Sequence, residues 1–291
     1  MKSLEEYLSE HSLNYKSPAI VMGSAPTVKT VGKLSFSGVR IGVGDMPVRA
    51  KNLGPYDYWV TANSYYPLPW ISKNAKDIAN SKAITLIASM VGQHAMIPQD
   101  EILTVMKQVA NSDQLLIYNQ KHFQNKPCAP EGLCCAISRE LVSGPSIQEL
   151  LGKLNNSVSA AYGQGSTVAL HGYALAVLLK ANPIFIAGVE LPVKYKDYRA
   201  YKNIFRPGER IHSKLKRLLR DYLFASKHRD TDFGLAGQNS ILEDFKCIAE
   251  IASSIGIKTY SLSRTSPLNS IPEINFINFD ELPNASTAIN N

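Results

Sequence analysis

The chain has 291 residues, 45% of them hydrophobic and 19% charged, with a formal net charge of +7. That length buries one large core or two modest ones, and the balance is that of an ordinary soluble globular protein. The polar, acidic start "MKSLEEYLSEHSLNY" lacks a signal-peptide layout, and the most apolar stretch, Val168 to Val193, is broken by His171, Lys180, Asn182 and Pro183. A leader and a membrane span are therefore both disfavoured, and a cytoplasmic protein is expected.

Residues 1–16 read as an N-terminal helix. "AIVMG" (Ala19 to Gly23) is the first strand, "VRIGVG" (Val39 to Gly44) the second and "YDYWVTAN" (Tyr56 to Asn63) the third. "AITLIAS" (Ala83 to Ser89) and "QLLIYN" (Gln114 to Asn119) follow as strands. "STVALHGYALAVLLKAN" reads as a buried helix and "PIFIAGVEL" as a buried strand. "ILEDFKCIAEIASSIG" places Ile241, Phe245, Ile248, Ala249 and Ala252 at the helical period, and Gly256 stops it. "IKTYSLS" is the last strand expected, and the stretch from Glu273 onward is polar.

Strands that alternate with helices and read as continuous apolar runs indicate a parallel sheet covered on both faces. The expected architecture is a Rossmann-like α/β domain over 17–270. It carries a lid-like basic helical insertion over 194–236 and ends in a tail over 271–291. In such sheets ligands sit outside the carboxyl ends of the strands. Every notable small or polar cluster falls there: Gly23-Ser24-Ala25-Pro26-Thr27, Gly44-Asp45, Asn63-Ser64 and Gly188-Val189-Glu190. Gly23 and Ala25 allow close backbone approach, while Ser24 and Thr27 offer hydroxyls beside helix-start amides, a combination suited to an anion such as a nucleotide phosphate. The motif is neither G-x-G-x-x-G nor a Walker loop, which disfavours a generic dehydrogenase or P-loop kinase.

The positive charge is local. Lys194 to Arg229 holds twelve Lys or Arg against three acids, leaving 19 basic and 21 acidic residues elsewhere, a net of −2. That asymmetry points to a local anionic partner. Within it, Ile211, Leu215, Leu218, Leu219, Tyr222 and Leu223 recur at helical spacing. An amphipathic helix is expected over 210–229, either packed on the domain or held against an anionic membrane surface. No nucleic-acid reading motif accompanies it. The four cysteines, Cys128, Cys134, Cys135 and Cys247, read as thiols of a reduced compartment, because "CAPEGLCC" is not a CxxC pair and no histidine lies close behind. No metal site is expected.

Four blocks in order resemble the bacterial sialyltransferases and the related MptE-like and motility-accessory-factor proteins. "IVMGSAPTVKTV" is similar to their G-x-G-P-S opening, and "WVTANSYYP" to their strand-plus-asparagine block. "GQGSTVALHGYALAVLLKANPIFIAGVELPVKYKDY" and "GIKTYSLSRTSPL" are similar to the later helix-strand block and the closing strand with its Ser-rich turn. The resemblance spans about Ser17 to Leu268. It implies a cytidine monophosphate donor surrounded by Gly23, Ser24, Ala25, Pro26, Thr27 and Asn63, with Gly44 and Asp45 where the family has another asparagine. Ser166 and Thr167 fall near a donor-contacting serine. Tyr198 falls where one of two phosphate-binding tyrosines lies; the other falls at Pro192, with Tyr195 as a replacement. The family's histidine base aligns with Asn239, so His228 and Glu190 are the candidates for that role.

The implied function is a glycosyltransferase using a CMP-activated acidic sugar of the sialic acid or Kdo type. Its acceptor would be a glycan or glycolipid, its chemistry would need no cofactor, and its location would be cytoplasmic or peripheral at the inner membrane surface. In an inverting enzyme Glu190 or His228 would be the base; in a retaining one Glu190, Asp230 or Asp232 would be the nucleophile. Two alternatives stand beside it. One is an MptE-like 6-hydroxymethylpterin diphosphokinase using ATP and magnesium, with Asp45 and Glu190 as metal carboxylates. The other is a non-catalytic nucleotide-sugar-binding module, which Asn239 favours.

Overall fold

The computed structural model describes residues 2–3, 17–31, 36–44, 46, 50–61, 84–91, 115–121, 168–190, 211, 215 and 235–279. Nine strands form one sheet: β1 (Lys2–Ser3), β2 (Ala19–Met22), β3 (Val39–Val43), β4 (Tyr58–Thr61), β5 (Ile84–Val91), β6 (Leu115–Lys121), β7 (Ile184–Ala187), β8 (Thr259–Ser261) and β9 (Ile274–Phe276). Among the described residues three α-helices are delimited: α1 (Val28–Val31), α2 (Val168–Leu178) and α3 (Leu235–Ser254).

All eight strand pairings are parallel, in the order β1-β6-β5-β4-β3-β2-β7-β8-β9. From β2 the chain steps outward through β3 and β4 to β6. It then returns to lay β7 against the other side of β2 and steps away through β8 to β9. This is the Rossmann-like, doubly wound arrangement, with its topological switch point between β2 and β7.

The apolar runs are continuous because both faces are covered. Ala19, Val21, Ile41, Val43, Val60, Ile184 and Ile186 belong to the core under α2 and α3, with Tyr173, Phe245 and Ile248. The alternate residues Ile20, Met22, Phe185 and Ala187 pack on the other face with Val28, Val31, Met46 and Leu53. Each such large side chain removed from water contributes on the order of 1.5–3 kcal/mol. On the first face α2 presents Gly172 to the sheet, where an added Cβ would lie 2.5 Å from Val43 Cγ1. Tyr173, one residue on, is fully buried; its hydroxyl shares a 2.8 Å hydrogen bond with Thr259 Oγ1, and burial pushes its phenol pKa up.

Both long helices end in the same way. At α3, Ile257 N–H reaches Ala252 O at 2.9 Å and Gly256 N–H reaches Ser253 O at 2.9 Å, with Gly256 left-handed at φ 79°. At α2, Ala181 N–H reaches Ala176 O at 3.1 Å and Lys180 N–H reaches Val177 O at 2.9 Å, with Lys180 at φ 53°. These are Schellman closures, and they turn each helix directly into the next strand. The amino ends of α2 and α3 therefore face the carboxyl edge of the sheet.

Three elements differ from the sequence reading. α3 begins at Leu235 rather than Ile241, because "LAGQNS" is helical although its small and polar residues hide the apolar period. β9 lies inside the stretch expected as a tail: Ile271 and Ile274 are buried, and residues 274–276 pair with 259–261. Lys2–Ser3, within the expected N-terminal helix, pairs with Leu116 and Ile117 of β6.

Candidate functional site

At the switch point the loops leaving β2 and β7 lie against each other. Gly23 N–H donates to Ala187 O at 2.8 Å, and Ala25 N–H to Gly188 O at 3.0 Å. A Cβ on Gly23 would lie 2.3 Å from Gly188 O, and one on Gly188 would lie 2.4 Å from Gly23 O. What comes close to the backbone at Gly23 is thus the other loop's backbone. Gly188 also sits at φ 69°, where a side chain is strained.

Thr27 bridges the two loops. Its hydroxyl accepts from Gly188 N–H at 3.0 Å and donates to Glu190 Oε1. The Thr27 amide and the Ser263 hydroxyl also favour ionised Glu190, but burial outweighs all three and pushes its carboxyl above the usual carboxylate range. Glu190 Oε2 is buried and makes no hydrogen bond among the described residues. The site therefore holds a carboxyl whose proton affinity is raised and whose second oxygen has spare acceptor capacity.

The turn after β8 supports this carboxyl from the far side. Ser266 Oγ donates to Val189 O at 2.7 Å and accepts from Leu268 N–H at 3.2 Å, capping the 3-10 turn Pro267–Ser270. Asn269 Nδ2 staples the turn to Ser263 O and Arg264 O, at 2.9 and 3.0 Å. Ser263 and Ser266 were not among the expected site residues. Their signal was the hydroxyl density of "YSLSRTS" directly after a strand.

On the other side of β2, Gly44 ends β3 in a left-handed turn at φ 63°. Its N–H reaches Val60 O at 2.9 Å, and its carbonyl accepts from Trp59 Nε1 at 2.5 Å. The indole thus fixes that corner of the sheet's carboxyl edge.

No family model and no curated protein sequence matches the chain. A solved structure of the sialyltransferase CstII from Campylobacter jejuni, in complex with a substrate analogue, CMP-3FNeuAc, is similar to it. The two are 14% identical, over 88% of this chain and 84% of that one, with a TM-score of 0.43.

Of the expected site residues, Gly23, Ser24, Ala25, Pro26, Thr27, Gly44 and Glu190 gather at the carboxyl edge of β2, β3 and β7. Ser24 and Thr27 are half-buried, and Pro26 is exposed. Five of the loop's amides are engaged within the fold rather than left open to an anion. Those of Gly23 and Ala25 bond the β7 loop, Thr27's serves Glu190, and those of Val28 and Lys29 close onto Ala25 O and Pro26 O. Asp45, Asn63, Ser166, Thr167, Tyr198 and His228 lie outside the described residues. Asn239 lies in the second turn of α3, inside the helix rather than before it. Within the basic segment, Ile211 and Leu215 are described and are 78% and 55% exposed. Among the described residues no helix is long and apolar enough to cross a membrane.

Proposed function

We propose that the protein is a glycosyltransferase that uses a CMP-activated acidic sugar, with Glu190 as the base that activates the acceptor. The observation carrying this reading is the half-buried Glu190 carboxyl at the switch point, where α/β sheets of this winding take their ligands. The order of the four sequence blocks supports the choice of donor. In the reaction the acceptor oxygen attacks the anomeric carbon, and the bond from that carbon to the CMP phosphate oxygen breaks. The phosphate leaves with the electron pair, and the acceptor's proton passes to Glu190. A base with raised proton affinity suits that transfer near neutral pH. Ser24 and, by the resemblance, Tyr198 would stand on the donor side, where hydrogen bonds to the departing phosphate would stabilise developing charge.

Three measurements test the reading. Cytidine monophosphate should raise the melting temperature more than AMP, UMP or GMP, since a ligand of the native state alone stabilises it. CMP-sugar turnover should persist in EDTA. Glu190→Gln should reduce turnover at least about tenfold, a loss equivalent to about 1.4 kcal/mol of transition-state stabilisation. A stronger response to ATP with magnesium would replace this reading with the diphosphokinase. Donor binding without turnover would replace it with the non-catalytic module.

The basic segment gives the enzyme a place to work. Outward-facing Ile211 and Leu215 among its lysines and arginines suit reversible attachment to an anionic lipid surface bearing a glycolipid acceptor. Sedimentation with anionic liposomes should be weakened by salt and abolished by changing Lys214, Lys216, Arg217 and Arg220 together to Glu. Equal pelleting of that quadruple variant would refute the attachment.

A further inference from the structure

We infer that Ser266 is a positioning residue for Glu190, acting through the Val189 carbonyl; this rests on the reading of Glu190 as the base. The geometry gives the hydroxyl one task. Ser266 Oγ already accepts from Leu268 N–H at 3.2 Å, so its single proton is directed to Val189 O at 2.7 Å. Val189 C=O and Glu190 N–H belong to one peptide plane, and a rigid peptide plane leaves only the soft backbone dihedrals to move. Holding that carbonyl therefore fixes the positions of Glu190 N and Cα, the point from which its side chain departs.

The holder itself is rigid. Leu268 and Ile271, on either side of the 3-10 turn's end, are buried in the main core, and Ile271 N–H closes onto Leu268 O at 3.0 Å. Ser266 is 4% exposed, and Asn269 ties the same turn back to Ser263 and Arg264. Across the loop, Thr27 holds the preceding Gly188 amide at 3.0 Å. The Gly188–Glu190 segment is thus gripped from the loop after β2 by the Thr27 hydroxyl and from the turn after β8 by the Ser266 hydroxyl. Among the described residues, the groups influencing the carboxyl are the Thr27 hydroxyl and amide and the Ser263 hydroxyl, none of them charged. Loosening the Ser266 grip lets water reach the carboxyl and lowers its proton affinity toward the ordinary range.

The test compares Ser266→Ala, Ser266→Thr and Ser270→Ala in the full chain. Ser270 lies in the same turn, exposed, with its hydroxyl on Pro267 O, and serves as the control. With a CMP-sugar donor, Ser266→Ala should lower kcat about five- to tenfold, the size expected for one buried hydrogen bond, with donor KM nearly unchanged. Ser266→Thr, which keeps the hydroxyl, should restore most of it. Independently of turnover, carboxyl-region infrared titration, with Glu190→Gln identifying the band, should show a lower Glu190 midpoint in Ser266→Ala than in wild type. An unchanged midpoint in a folded Ser266→Ala overturns the clamp. Absence of turnover in wild type overturns the proposed function instead, and the infrared arm still decides the clamp.

Discussion

Replacing Gly188 with alanine tests the loop packing at the switch point most directly. The new Cβ would lie 2.4 Å from Gly23 O, 2.8 Å from Gly23 C and 2.9 Å from Val28 Cβ. Two of these are backbone atoms of Gly23, which flanking hydrogen bonds from Gly23 N–H to Ala187 O and from Ala25 N–H to Gly188 O hold in place, so neither can swing away. The backbone at φ 69° adds about 1–2 kcal/mol for any residue with a Cβ. Overpacking a fixed contact adds about 1–3 kcal/mol. Gly256 separates these effects: its φ is 79°, yet a Cβ there meets nothing within 4 Å. Gly256→Ala should therefore show only the conformational cost, about 1–2 kcal/mol, while Gly188→Ala should lose roughly 2–5 kcal/mol by the sum of both effects. Urea denaturation followed by circular dichroism, compared at equal m, gives both values. Gly23→Ala meets the same neighbour, so the Gly23→Ala/Gly188→Ala pair should lose less than the sum of the singles. If Gly188→Ala fell within about 0.5 kcal/mol of Gly256→Ala, the usual resolution of such comparisons, the two loops would not be in the contact described.

Glu190 should make stability depend on pH in an unusual direction for a carboxylate. Its native proton affinity is raised, so between the ordinary carboxylate range and the raised native value the folded state binds more protons than the unfolded one. Wild-type stability should then fall as pH rises through that window, relative to Glu190→Gln, and a difference independent of pH would contradict the burial argument. At the α2 terminus, Lys180 holds a left-handed conformation better suited to glycine. Lys180→Gly should gain about 0.5–1 kcal/mol, the relief of left-handed strain less the extra chain entropy of glycine; a loss in thermal unfolding would contradict it.

What the sequence made legible depended on burial. β2, β3, β4 and β7 stood out because both of their faces are covered, so Ile20 and Val21 are equally apolar although they point to opposite cores. The switch point followed from where small residues gathered. β9 did not stand out, since "INF" offers one buried residue between exposed and half-buried neighbours and is held chiefly by ladder bonds to β8. The start of α3 was hidden by glycine and polar residues whose helical conformation leaves no apolar period. The pairing of Gly23 with Gly188 was invisible for a different reason. Gly23 read as room for a ligand, and only the fold shows that it and Gly188 make room for each other.

The chemistry around Glu190 is consistent with that economy. A lysine or arginine in place of Thr27 or Ser263 would hold the carboxyl ionised and low in proton affinity, stabilising the loops but leaving a weak base. Hydroxyls hold the same geometry while adding no charge, so burial decides the carboxyl's proton affinity and raises it. Thr27 contributes twice, because one hydroxyl both accepts from Gly188 N–H and donates to Glu190. The mutual fit of Gly23 and Gly188 brings the loops near enough for that single hydroxyl to span them. Widening the gap between the loops would thus loosen the carboxyl before it disturbed the sheet.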